Sequence, residues 1–159
     1  HRKIGVIAGT ADNLHTQKRI LGLQKALYEE RIPFNPDWIK YGNWKRDSGY
    51  REAEGLIRED VTAIFCLNDD MAAGVYDYLY EHGLRAGEDI SIAGYDNMEI
   101  SGYLKPALTT NEIPFAQIGI KSAELMIKLL NDEYELKPGS EIIKMPCRII
   151  ERDSVKKIK

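Results

Sequence analysis

The chain has 159 residues, 43% of them hydrophobic, enough for one domain with its own core. Its 22 Lys and Arg stand against 25 Asp and Glu, and the net charge of −3 excludes a basic field that holds nucleic acid by itself. Apolar runs stop far short of the ~20 residues that span a bilayer, which argues against a membrane protein.

The opening His1-Arg2-Lys3 lacks an initiator Met and runs straight into an apolar stretch, so an excised fragment is expected. Lys3–Ala8 is too short for the apolar block of a signal peptide. Cys66 and Cys147 both sit in apolar, strand-like runs, which argues against a disulfide scaffold and fits a reducing, cytoplasmic compartment.

In chain order, Ile4–Ala8 (IGVIA) reads as a buried strand and Gly9–Leu14 as a loop. His15–Glu30 has helical spacing at Ile20, Leu23 and Leu27, and Pro33 forbids its continuation. Trp38–Tyr41 is a second strand, Asp47–Arg58 a second helix and Ala63–Leu67 (AIFCL) a third strand. Asn68-Asp69 offers a helix N-cap for Met71–Glu81, and Gly83 suits the left-handed position after it. Ile90–Tyr95 is a fourth strand and Leu108–Asn111 a short extended piece. Phe115–Leu130 is a long helix, apolar on more than one side. Glu141–Lys144 and Arg148–Ile150 read as closing strands around Pro146.

Strand–helix alternation at this pitch predicts an α/β fold, an open doubly wound parallel sheet with helices on both faces. Ligands of such sheets bind outside the carboxyl ends of the strands. That rule selects the loops Gly9–His15, Gly42–Lys45, Asn68–Asp70 and Asp96–Glu99. They supply a flat aromatic face at Trp44, an amide at Asn68, and carboxylates at Asp69, Asp70 and Asp96. Arg19, one turn into the first helix, adds a planar fork of donors. Carboxylate, guanidinium and stacking aromatic together suit a polyhydroxylated ring.

Each residue also has a plainer explanation. Trp44 alone is equally well a half-buried surface aromatic. Asn68 and Asp69 are better explained singly as a helix cap. Asp96 suits a turn with Asn97, Arg19 a surface ion pair and His15 a polar loop. The functional reading rests on their convergence at one sheet edge. No G-x-G-x-x-G, G-x-x-x-x-G-K-[ST] or G-x-S-x-G segment occurs, and the three His and two Cys lack metal-ligand spacing. An acidic metal pocket at Asp69-Asp70 is the weaker reading, and no cofactor is expected.

Phe65-Cys66-Leu67-Asn68-Asp69-Asp70-Met71-Ala72-Ala73-Gly74 resembles the "xxNDxMAxG" segment of the LacI/GalR transcription regulators. Gly83-Leu84-Arg85 through Asp89-Ile90-Ser91-Ile92-Ala93-Gly94-Tyr95-Asp96-Asn97 resembles their "GLRVPEDISVVGYDD". Pro106–Thr110 resembles "PPLTT", Ile149–Ser154 the terminal "LVIRES", and Arg19-Ile20-Leu21-Gly22 "RxxGF". The likeness runs along essentially the whole chain, in order. Departures include Ala86-Gly87 for Val-Pro, Leu23 for an aromatic and Asn111 for an apolar residue.

The resemblance implies a two-lobed, periplasmic-binding-protein-like effector domain. Residues 1–113 match its C-terminal lobe, 114–146 an excursion into the N-terminal lobe, and 147–159 the closing strand and tail of the C-terminal lobe. By position it assigns effector contacts to Arg19, Trp44, Asn68 and Asp96, with His15 at a position that often contributes. It implies a cytoplasmic, non-enzymatic, sugar-responsive homodimer that reaches operator DNA only through a headpiece outside this sequence. A transport-associated solute-binding protein is the alternative; a response-regulator or flavodoxin-like domain is a third reading. Two expectations follow. Val75, Tyr76, Tyr78 and Leu79, with the loop around Tyr103-Leu104, form the dimer contact. Phe115–Leu130, orphaned from its lobe, self-associates.

Overall fold

The structure, a computed structural model, describes residues 1–135 and 142–158. It holds β1 (Ile4–Ala8), α1 (Leu14–Glu29), β2 (Ile39–Tyr41), α2 (Arg46–Arg58), β3 (Ala63–Cys66), α3 (Asp69–Glu81), β4 (Ser91–Asp96), α4 (Ile100–Tyr103), β5 (Thr109–Glu112), α5 (Phe115–Leu130) and β6 (Arg148–Ile150). The sheet order is β2-β1-β3-β4-β5-β6. Strands β1 to β5 are parallel, and β6 returns antiparallel along β5. The predicted parallel sheet is thus correct for five strands and gains an antiparallel edge.

The chain steps outward from β1 to β2, then passes back across β1 to β3 and onward. Right-handed crossovers therefore put α1 on one face and α2 and α3 on the other. Side chains alternate accordingly. Gly5 lies directly under Leu56 of α2, whereas Phe65 and Ala93 line a groove beside α1. Leu56, Ile64, Leu67, Met71, Val75 and Ile92 are fully buried and form the heart of the core.

Helices α2 and α3 touch backbone to backbone. A Cβ on Gly49 would stand 1.9 Å from the Met71 carbonyl oxygen, and one on Gly74 would stand 1.9 Å from that of Arg46. This close crossing explains why α3 is consumed internally. Val75, Tyr76, Tyr78 and Leu79 are all buried within the chain, so the expectation that they form a dimer surface is corrected. Their apolar excess serves α2 and the sheet; Tyr80, at 86% exposure, is the aromatic that faces outward.

Three segments differ from expectation. Trp38 ends a single 3-10 turn (Pro36–Trp38) rather than opening β2. Residues 142–144 carry no strand, because β5 offers its free edge to Arg148–Ile150 instead; Glu141 lies outside the described residues. Helix α4, too short to show a period, was not predicted. Helix α5 has the predicted bounds, yet none of its residues is buried. It does not fold back onto this sheet.

Gly49→Ala drives a methyl into backbone that cannot yield and is expected to destabilise by roughly 2–3 kcal/mol. Gly22→Ala meets nothing within 4 Å in mid-α1 and is expected to stabilise by roughly 0.5–1 kcal/mol. Urea unfolding of both variants checks the opposite signs.

Candidate functional site

Parallel pairing brings the carboxyl ends of β1, β2, β3 and β4 to one edge. Arg19 reaches that edge from α1. Its Nη1 donates to the Leu67 carbonyl, and its Nη2 donates to Asp96 Oδ1 at 3.2 Å. Both side chains of the pair are largely shielded, at 16% and 20% exposure, unlike the surface ion pairs elsewhere. The guanidinium carbon lies 3.8 Å from the Tyr95 ring centroid and 5.6 Å from that of Trp44. A charged fork held by two acceptors and flanked by two aromatics has little freedom to reorganise.

Trp44 is fixed through its backbone. It sits at φ 70°, a conformation rare for a bulky residue. Its carbonyl accepts from Asn68 Nδ2 at 2.9 Å. Its ring lies over Gly9, where any Cβ would overlap the indole. Asn68 caps α3 through Oδ1, which accepts from Met71 N at 2.9 Å. The amide thus does the capping that the sequence suggested and also clamps the Trp44 loop. His15 is exposed near the start of α1, close enough for its charge to act on Asp96. Burial pushes the Asp96 carboxyl above its ordinary value, and Arg19 and then His15 oppose that shift.

Asp69 is the residue whose role the sequence undersold. It is fully buried. Oδ1 accepts from Thr110 Oγ1 at 2.6 Å and Oδ2 from Met98 N at 2.7 Å. Gly94 leaves the space for it, since a Cβ there would come within 2.2 Å of Oδ1. Burial pushes its carboxyl up to about 6, and the nearby Asp96 charge adds to the shift. Both Asp69 oxygens are thus engaged, one by β5 and one by the turn after β4, and among the described residues no cluster of three or more His, Cys, Asp or Glu is placed to hold a metal.

All five predicted contacts lie at this edge: Arg19, Trp44, Asn68 and Asp96 in one linked cluster, His15 beside it. Comparison with known proteins identifies the family of the chain. The family described as a periplasmic binding protein-like domain matches residues 1–155. The HTH-type transcriptional repressor PurR of Aliivibrio salmonicida is 36% identical over 160 residues, covering 99% of this chain and 47% of the repressor. The chain belongs to the LacI/GalR family. It spans about half the length of the curated relatives it matches.

Solved structures of the family share the fold. A LacI family regulator from Enterococcus faecium with bound ribose superposes with a TM-score of 0.86 at 30% identity, covering 100% of this chain and 58% of that one. A lac repressor dimer bound to operator gives 0.82 at 28% identity, covering 98% of this chain and 53% of that one.

Tyr95 was missed as a site residue because strand alternation gives no hint that a strand-end aromatic supports an arginine from another element. Asp69 was read as a cap because its partners, Met98 and Thr110, lie 29 and 41 residues away.

The Asp69 carboxyl predicts a pH dependence. Its folded value of about 6 exceeds the ordinary 3.8, so the native state holds this proton more tightly than the unfolded chain. The stability it contributes is complete below the ordinary value and lost as pH rises through about 6. Asp69→Asn removes the titration. Between pH 4 and 7 the stability of the variant relative to wild type is expected to rise by roughly 2–3 kcal/mol. Urea midpoints at both pH values measure it, and a constant difference contradicts it.

Proposed function

We propose that this chain is the effector-sensing region of a DNA-binding transcriptional regulator, and that it binds a neutral mono- or oligosaccharide. The observation that carries the reading is the shielded Arg19–Asp96 pair between Trp44 and Tyr95 at the carboxyl edge. Adjacent hydroxyls of a sugar can take the Asp96 carboxylate as acceptor and the Arg19 fork as donor, while Trp44 covers a C–H face. The ribose bound by the Enterococcus faecium regulator supports a carbohydrate. The repressor relatives support regulation over transport.

The region acts as a binding module and not as an enzyme, in the cytoplasm and as a homodimer; the lac repressor dimer on operator is the precedent for assembly. No helix among the described residues is long and apolar enough to cross a membrane. DNA is reached through a headpiece outside this sequence. Residues 114–146 extend into a second lobe, which the wholly unburied α5 supports: Phe115, Ile120 and Leu130 all stand in the open. A ligand clasped between two lobes biases their relative orientation, and with it the spacing of the headpieces.

Calorimetry on the full-length protein tests this, with D-ribose and a panel of neutral saccharides as probes. Asp96→Ala and Arg19→Ala are each expected to weaken binding by about 10- to 100-fold, the loss of one charged hydrogen bond. Unchanged affinity in both variants, or binding of no saccharide at all, contradicts the reading.

A further inference from the structure

Next to Asp96, the Asn97 side chain ties the turn to Glu112 at the end of β5 and to Arg152 just past β6, and Glu112 in turn holds Arg148 at the start of β6. Asp96 and Asn97 both have left-handed backbones, at φ 104° and 53°. Asn tolerates that region better than most residues, but it does not hold itself there. The hold comes from hydrogen bonds at both ends of the Asn97 amide. Nδ2 donates to Glu112 Oε1 at 3.1 Å. Oδ1 accepts from Arg152 Nη2 at 2.9 Å and from Ser101 Oγ at 3.4 Å. The backbone N–H donates to Thr110 Oγ1 at 3.3 Å.

These partners are not interchangeable. Arg152 only donates and ionised Glu112 only accepts, so they fix which way the amide points. An acid at this position would set two carboxylates against each other. Arg152 is itself seated, with Nη1 donating to the Leu108 carbonyl at 2.5 Å and Ser101 Oγ at 3.1 Å. On the other side, Glu112 Oε2 accepts from Arg148 Nε at 2.5 Å. Arg148 first, and Asn97 with it, keeps the Glu112 carboxyl below its ordinary value.

Topology makes this chain of contacts more than local. Glu112 is the last residue of β5, and Arg148 is the first of β6 and its partner in register. The chain departs after Glu112 and comes back at Arg148. We propose that Asn97 is a positioning residue that couples the Asp96 carboxylate to both strand ends, so that a displacement at either end is felt at the ligand edge. The functional meaning of the coupling rests on the reading of Asp96 as a ligand contact; the coupling itself does not.

Amide hydrogen exchange of the full chain, without any ligand, tests it. Asn97→Asp removes the donor to Glu112 and brings two carboxylates together. Exchange in the 95–99 and 110–113 segments is expected to accelerate by about tenfold while β1 and α2 stay protected. Adding Glu112→Gln reverses the polarity: the new amide donates to the new carboxylate, and its oxygen still accepts from Arg148 Nε. Exchange should return to within about threefold of wild type. Arg148→Met cuts the outer link without touching the turn and should still loosen 95–99 by about threefold, which covers the case in which Asn97→Asp does not fold. Wild-type exchange at 95–99 in Arg148→Met, or no recovery in the double variant, overturns the proposal. Because no ligand enters, these outcomes are independent of whether Asp96→Ala weakens saccharide binding.

Discussion

At the end of β4 two successive side-chain-bearing residues, Asp96 and Asn97, turn through the left-handed region, and the arrangement of the carboxyl edge of the sheet depends on keeping them there. Such backbone costs on the order of 1–3 kcal/mol per residue and persists only where the surroundings over-determine it. Here they do. Asp69 takes the Met98 N–H from beneath, Thr110 takes that of Asn97, and Arg152 and Glu112 hold the Asn97 amide from opposite sides. The result aims the Asp96 carboxylate at Arg19 instead of along the strand.

The same requirement accounts for features that look unrelated. Gly94 is small because Asp69 needs its space. Asp69 tolerates complete burial because two strong donors meet it, although desolvation still outweighs them. The tail beyond β6 is part of the support as well. Arg152 reaches the turn, and the buried Ser154 Oγ donates to the Ile92 carbonyl at 2.6 Å while accepting from Thr109 N at 2.7 Å. The C-terminal segment thus stitches β4 to β5 near the amino ends of both strands.

Much of this was legible in the sequence, for definite reasons. Short apolar runs alternating with 3.6-residue periods forced a parallel sheet, the strand-end rule selected the loops that hold Trp44, Asn68, Asp69, Asp70 and Asp96, with Arg19 beside them, and the family resemblance narrowed these to Arg19, Trp44, Asn68 and Asp96, with His15. What escaped depended on contacts between distant segments. Helix α3 looked too apolar for one sheet-covering helix, because nothing local says that Gly49 and Gly74 let α2 lie directly upon it. Tyr95 looked like a strand residue because the arginine it supports comes from α1. Residues 142–144 resembled a strand by composition, but β5 had one free edge and Arg148–Ile150 took it. Periodicity reports which face a residue prefers; it does not report who shares that face.

On the proposed reading, a held Asp96 and a seated Arg19 present complementary hydrogen-bonding groups to one ligand. A crystal structure of the full-length protein with a bound monosaccharide tests it most directly. Adjacent sugar hydroxyls are expected to bond to the Asp96 carboxylate and the Arg19 guanidinium, with Asp96 and Asn97 still left-handed and Trp44 against the ring. A sugar seated without contact to Asp96, or a turn relaxed to negative φ while the sugar is bound, would contradict it.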